Sequence, residues 1–263
     1  MTIDATLTLD APARRAGFAT RLAVLVYAAA AYLFFFTAFG LYFPFFVWDA
    51  PVPFTLNGGA PIHPAAALAI NVGAILLFGV QHSVMARKSF KRTLTRIIPP
   101  AAERATFVLV STLALLPLIL AWSPMPGTLY AISYAPAYWA LLALSAAGFG
   151  LLLLSSFAIN HFELFGLLQA WCFFRKREVT PIPFRQPWLY RVCRHPLMLG
   201  ILIFLWSTPH LTVGRLVLNL GLTAYILVGL YFEEKDLIAA FGDTYRAYMK
   251  ATPRLLPRLG RKA

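Results

Sequence analysis

Residues 197–232, LMLGILIFLWSTPHLTVGRLVLNLGLTAYILVGLYF, decide the fold. The stretch is apolar almost throughout, yet Ser207-Thr208-Pro209-His210 interrupts it, because proline lacks an amide donor and clashes with a continuing helix. About 12 residues precede the break and about 20 follow it, which predicts a short helix, a tight turn and one full membrane crossing. Working outward toward the N-terminus, apolar runs at roughly 22–46, 65–86, 105–122 and 137–159 are each long enough to cross about 30 Å as a helix. The expected class is all-α: a polytopic transmembrane helix bundle of about five to six membrane helices, with a C-terminal helical hairpin and an interfacial amphipathic helix.

Composition agrees. Of 263 residues, 60% are hydrophobic and 13% charged, and the mean hydropathy is +0.70. Such a chain has no room for a large water-soluble domain, which excludes enzymes built on a doubly wound sheet and puts any active site among helices or beside them. The net charge of +13 does not indicate nucleic acid, since the basic residues fall in short segments between apolar spans. Of the 23 Lys and Arg, 22 lie before span one, between spans two and three, between spans four and five, or after the last; only Arg215 is near an opposite-side loop. Six passes are expected, the short helix before the break counting as one, and by the positive-inside rule residues 1–20, 87–104, 160–195 and 235–263 are cytosolic, both termini included. Loops 47–64 and 123–136 carry Asp49 as their only charge and read as structural interfacial turns. The first 20 residues lack the apolar core and cleavage site of a signal peptide, so a retained cytosolic tail over 1–20 is expected, then one membrane domain over 21–257 and a basic tail over 258–263. Cys172 and Cys193 both fall in basic cytosolic segments and read as reduced thiols that bind no metal. No internal repeat is visible, which argues against an inverted-repeat transporter.

Polar side chains at membrane depth are costly and are therefore candidates for function. Four clusters stand out, all on the cytosolic side. Gln81, His82 and Ser83 lie near the end of span two, where His82 is either a helix-packing histidine with satisfied ring nitrogens or a site residue. Asn160-His161-Phe162-Glu163 ends span four; it either satisfies helix-end carbonyls or gathers an amide, an imidazole and a carboxylate for chemistry. In Arg194-His195-Pro196-Leu197, Pro196 is placed to begin a helix with His195 at its cap, and Gly200 one turn on allows close approach of a ligand or a helix. Glu233, Glu234 and Asp236 need cationic partners, from Arg194, the basic loops or a ligand; the amphipathic stretch 237–250 brings Phe241, Tyr245 and Tyr248 beside them.

The order of Arg194-His195-Pro196-Leu197-Met198-Leu199-Gly200, Glu233-Glu234, Gly242-Asp243-Thr244-Tyr245-Arg246-Ala247-Tyr248, then Pro253 with Pro257 resembles the isoprenylcysteine carboxyl methyltransferase superfamily of membrane enzymes. Its hallmark is Arg-His-Pro-x-Tyr-x-Gly followed by Glu-Glu and Gly-x-x-Tyr-x-x-Tyr; Met198 stands here at the first tyrosine. Residues 78–87 (FGVQHSVMAR) and 160–167 (NHFELFGL) are similar to segments of bacterial methanethiol S-methyltransferases. NnrU-like membrane proteins share the span-two histidine.

The resemblance implies methylation of a small volatile thiol, methanethiol to dimethyl sulfide, with S-adenosylmethionine as donor and S-adenosylhomocysteine as product, in the bacterial inner membrane. It assigns the cofactor to residues 190–257, through Arg194, His195, Pro196, Leu197, Gly200, Glu233, Glu234, Tyr245 and Tyr248. Transfer from a sulfonium to a thiolate annihilates charge, so a water-poor site favours it, and the thiol needs a base near neutral pH. The catalytic expectation is His161 as base, Glu163 fixing or charging an imidazole, Asn160 orienting the group and His82 holding the sulfur or relaying the proton. No metal is needed. Open alternatives are a lipid, isoprenylated cysteine or other alkyl thiol as acceptor, or a non-catalytic NnrU-like membrane protein; oligomeric state is left open.

Overall fold

The computed structural model describes residues 16–47, 55–179 and 184–256. Most of the tail expected over 1–20, all of the basic tail 258–263, and Pro257 lie outside the described residues. The chain is an all-α polytopic membrane protein. Among the described residues five helices are long and apolar enough to cross a membrane: α1 (Phe18–Val47), α2 (Pro64–Met85), α4 (Glu103–Leu120, extended by a 3₁₀ turn Pro100–Ala102), α5 (Ala135–Ile159) and α10 (Val213–Phe241). Proline opens α2, the 3₁₀ turn and, at its second position, α5, where its missing N–H is no loss and its φ is preset. Between them lie α3 (Lys88–Leu94), α6 (His161–Leu164), α7 (Leu167–Phe174), α8 (Trp188–Val192), α9 (Pro196–Trp206) and, last, α11 (Asp243–Ala251). The chain divides into two compact units, an N-terminal one of residues up to 125 with 161–179, and a C-terminal one of 126–160 with 184–256.

In the C-terminal unit, the break expected at Ser207-Thr208-Pro209-His210 separates α9 from α10. With 11 residues, α9 spans about 16 Å, half of a membrane core. The chain then continues in extended form as β2 (His210–Thr212), which pairs antiparallel with β1 (Thr128–Ala131). Loop 123–136 thus holds a short strand as well as turns. Tyr130 OH donates to Thr208 O at 3.1 Å, and Thr212 Oγ1 caps α10 by accepting from Arg215 N at 3.2 Å. Helix α9 packs on α5 with backbone against backbone. A Cβ at Gly200 would stand 2.6 Å from Gly148 O and 2.7 Å from Leu152 N; one at Gly148 would stand 2.6 Å from Phe204 N. Small residues at such a crossing let helices approach where no hydrophobic effect drives them together. Ser145 adds a hydrogen bond to Phe204 O at 3.0 Å.

The last helix departs from expectation. The stretch 237–250 is not one amphipathic helix: α10 runs on to Phe241, so Glu233, Glu234 and Asp236 sit inside its final turns. Gly242, at φ 54°, ends it and α11 follows directly.

In the N-terminal unit the alanines do the packing. Ala28 and Ala31 of α1, Ala102 and Ala105 at the start of α4, and Ala170 of α7 are buried together with Val24 and Phe173. Tyr27 OH donates to Thr106 Oγ1 at 3.0 Å, fixing α1 against α4. Asn71, fully buried on α2, uses both halves of its amide on Ser123, at 2.8 and 2.9 Å.

Candidate functional site

The C-terminal unit gathers most of the sequence-predicted cofactor residues around one carboxylate. Extended chain at 193–195 is held by Arg194 N to Pro253 O (2.9 Å) and His195 N to Arg254 O (3.2 Å), which brings Arg194 to α10. Arg194 donates from Nε to Glu234 Oε1 at 2.8 Å, and its Nη2 lies 2.7 Å from the same oxygen. Its Nη1 donates to Thr252 O and Met249 O at 2.6 and 3.0 Å. Glu234 also meets His195 Nε2 at 3.2 Å and Arg254 Nε at 3.1 Å. The cationic partners demanded by the acidic cluster are thus this chain's own, and Arg194 spends its guanidinium fork on Glu234 and two carbonyls.

His195 caps α9, Pro196 is its first residue, and Nδ1 lies 3.6 Å from Glu233 Oε2. Burial pushes the imidazole below its ordinary value, while the Glu234 contact pulls it back. Pro196 is buried and Leu197 half-buried in the first turn. Gly200 serves the crossing with α5, so of its two expected uses the structure displays helix approach.

Beside this network Tyr245 and Tyr248 pack against Leu237, Phe241 and Phe184. Phe184 centres the group, with ring centroids 5.2 Å from Phe241, 5.9 Å from Tyr245 and 5.4 Å from Tyr248. Tyr248 OH donates to Tyr190 O. Burial pushes both tyrosine hydroxyls up, which keeps them neutral donors. The Tyr245 hydroxyl is buried and makes no hydrogen bond among the described residues. Aromatic faces and neighbouring carboxylates suit a cationic nucleoside ligand. Phe184 escaped the sequence reading, and nothing local to residue 184 signals it.

The N-terminal unit holds the histidines. Helix α5 stops at Ile159; Asn160 is extended (φ −177°, ψ 91°), and one turn of α6 follows. Asn160 and Glu163 therefore share no continuous helix face. His161 is 3% exposed, and its Nε2 lies 2.9 Å from Tyr32 OH on α1. Phe36 and Phe165 flank the ring at 5.8 and 4.8 Å. Burial pushes His161 below its ordinary value, so it is neutral at pH 7. The Glu163 carbonyl accepts from Gln169 Nε2 at 3.1 Å.

His82, on α2, lies 5.4 Å from Phe78 and 4.8 Å from the Phe107 ring. Phe107 belongs to a buried group with Met85 and Val108 against which Phe35 and Phe165 pack. The two histidines thus border one aromatic cluster from opposite members, Phe107 and Phe165. Tyr32 and Arg104, both in contact with this region, were missed as site residues: Tyr32 is one aromatic among many in α1, and Arg104 counted only toward topology. Gly166, at φ 85°, was the available signal. A Cβ there would stand 2.6 Å from Ala105 N, so the turn 161–166 rides on the first turn of α4. Among the described residues no cluster of three or more His, Cys, Asp or Glu could hold a metal ion, and both cysteines are free.

A family model described as NnrU protein matches residues 71–256. The methanethiol S-methyltransferase of Mycobacterium tuberculosis is 45% identical over 237 residues, covering 90% of this chain and 97% of that protein. Methanethiol S-methyltransferase 2 of Bradyrhizobium diazoefficiens is 45% identical over 239 residues, covering 91% and 92%. Nurim of Xenopus laevis is 30% identical over 168 residues, covering 60% and 58%. No solved structure matches the chain.

Proposed function

The chain belongs to the NnrU protein family, and from that premise we propose that it is a membrane S-methyltransferase that converts methanethiol to dimethyl sulfide. The observation that carries this is the 45% identity to methanethiol S-methyltransferases across nine-tenths of the chain. The donor is S-adenosylmethionine, whose sulfonium supplies an electrophilic methyl group. Glu233, Tyr245, Tyr248 and Phe184 hold it, with Arg194, His195 and Glu234 fixing the frame around them.

His161 takes the thiol proton. Its neutral state at pH 7 is what a base requires, and Tyr32 at Nε2 helps set the ring orientation, with Glu163 two residues on. Asn160 releases the chain from α5 so that His161 can turn away from the helix line, and His82 flanks the acceptor. Rings on every side exclude water, which favours a reaction that annihilates charge. The charge partition supports an inner-membrane protein with both termini in the cytosol.

Purified protein supplied with S-adenosylmethionine and methanethiol should release dimethyl sulfide into the headspace, and calorimetry should register S-adenosylhomocysteine. Absence of both sinks the reading. A longer alkyl thiol is the second reading, favoured by an open, apolar surface groove of about 570 Å³ lined by Leu76, Leu77, Val80, Val84, Met85 and Phe90. A chain-length series separates the two: kcat/KM that rises with alkyl length selects the groove. For orientation, Arg175→Cys and Asn57→Cys should label from opposite faces; labelling from one face overturns it.

A further inference from the structure

Arg104 is a cation in the first turn of a membrane-spanning helix, where an unpaired charge is expensive. Its surroundings are specific. Nε donates to Leu164 O at 2.8 Å, tying it to the turn that carries His161 and Glu163. The guanidinium carbon lies 5.2 Å from the centroid of Phe107, the ring that His82 faces at 4.8 Å. Phe165, 4.8 Å from His161, packs on the same aromatic group. One guanidinium thus touches both the turn that carries His161 and the ring that His82 faces.

Its counter-charges are incomplete. Glu103 lies 3.8 Å from Lys91, and Glu103 and Glu163 reach Arg104 only through the field, since among the described residues neither comes within ion-pair distance of it. His82 is the other titratable group that senses it. Among the described residues only Nε of the guanidinium is hydrogen-bonded, although five N–H donors are available.

We propose that Arg104 binds the acceptor as a thiolate, its terminal amino groups holding the sulfur beside His82 and His161; this rests on the methyltransferase reading. A free alkyl thiol ionises, like cysteine, at about 8.5 or above, beyond the reach of a neutral histidine alone. The balanced step is simple. The S–H bond of methanethiol breaks, its proton passing to His161 and later to water. The sulfur's electron pair forms the new bond to the donor methyl carbon, and the old carbon–sulfonium pair returns to what becomes S-adenosylhomocysteine. Because the thiolate charge vanishes in the transition state, Arg104 favours ionisation and binding more than the transfer itself. Its loss therefore acts on KM and the pH profile, and little on kcat at alkaline pH.

The test is R104Q and R104K, each assayed for methanethiol kinetics across pH and for S-adenosylhomocysteine binding by calorimetry. R104Q should raise KM for methanethiol roughly 10- to 100-fold at pH 7 and move the pH profile alkaline by about one to three units, the range an opposite charge imposes. Nucleotide affinity should stay near wild type. R104K should keep the wild-type profile with a modestly raised KM. If R104Q loses nucleotide binding through misfolding, R104K decides: an unmoved profile supports the proposal, and an alkaline shift overturns it. R104Q with wild-type KM and profile overturns it, as does equal loss of activity at every pH in both variants, which marks a purely structural clamp. A wild-type protein that never methylates methanethiol yet binds S-adenosylhomocysteine refutes the acceptor reading instead.

Discussion

The region around Glu234 and the region around His161 solve opposite problems. At Glu234 every charge has a charged or carbonyl partner from the same chain: Arg194, His195 and Arg254 converge on one carboxylate, and backbone bonds at 194 and 195 pin the segment. Around His161 rings abound, with Tyr32 a polar partner at Nε2. A saturated network holds geometry, because breaking any member strands another. A buried, neutral imidazole in an aromatic shell is suited to a proton that arrives and leaves.

The contrast breaks most visibly at its saturated end. Glu234→Ala leaves Arg194, His195 and Arg254 facing one another, and should lower stability by about 3–5 kcal/mol while abolishing S-adenosylhomocysteine binding. Thermal unfolding in detergent reads the first effect, calorimetry the second. A variant with wild-type stability would show that the hub holds nothing. At the aromatic end, His161→Ala should cost turnover about 10²- to 10⁴-fold with nucleotide affinity intact, partly recovered at high pH as thiolate forms in solution. Near-normal turnover in both His161→Ala and His82→Ala leaves desolvation alone as the mechanism.

The sign of the pH effect follows from burial. His161 is held below its ordinary value, so wild-type kcat/KM should stay level down to about pH 6.5 and fall as the pH drops through the lowered folded-state value. The unfolded chain binds a proton first on acidification, so stability from the buried neutral ring is present above pH 6.5 and lost below it. Next in size is Gly200→Ala, which forces a Cβ against Gly148 O and Leu152 N and should cost about 1–3 kcal/mol, read as a lowered Tm. Unchanged Tm would mean α5 and α9 can separate freely. Tyr32→Phe is the mildest: it removes one hydrogen bond, about 0.5–1.5 kcal/mol, and should reduce turnover several-fold with Tm almost unmoved. A Tm fall matching Glu234→Ala would put Tyr32 among the holding residues and blur the contrast.

Sequence legibility followed the same division. Apolar length and basic loops revealed the five spans, and Pro209 marked the break after α9, because both signals are local and strong. The polar clusters were visible as residues too costly to bury idly. What stayed hidden depends on partners distant in sequence. Glu and Lys are good helix formers, so nothing near 233–236 revealed whether α10 stopped there, and only Gly242 ends it. That Gly200 meets Gly148, that Tyr32 reaches His161, and that Arg104 lies against the 161–166 turn are tertiary facts. Arg104 is the instructive case: a charge that satisfies a topology rule attracts no second question.

The two backbone bonds from Arg194 and His195 to Pro253 and Arg254 also set an order of events during synthesis. The segment 194–195 leaves the ribosome before α9 and α10 exist, yet its anchoring carbonyls come after α11. Glu234 emerges in between, with two of its cationic partners already made and Arg254 still to come. The C-terminal unit can therefore be threaded into the bilayer while its cytosolic end remains open, and that end closes only when residues 249–254 fold back. Insertion and closure are separated in time, so a chain truncated after Phe241 and released would be complete in its spans, with Arg194 held by Glu234 alone and without the carbonyls of 249–254.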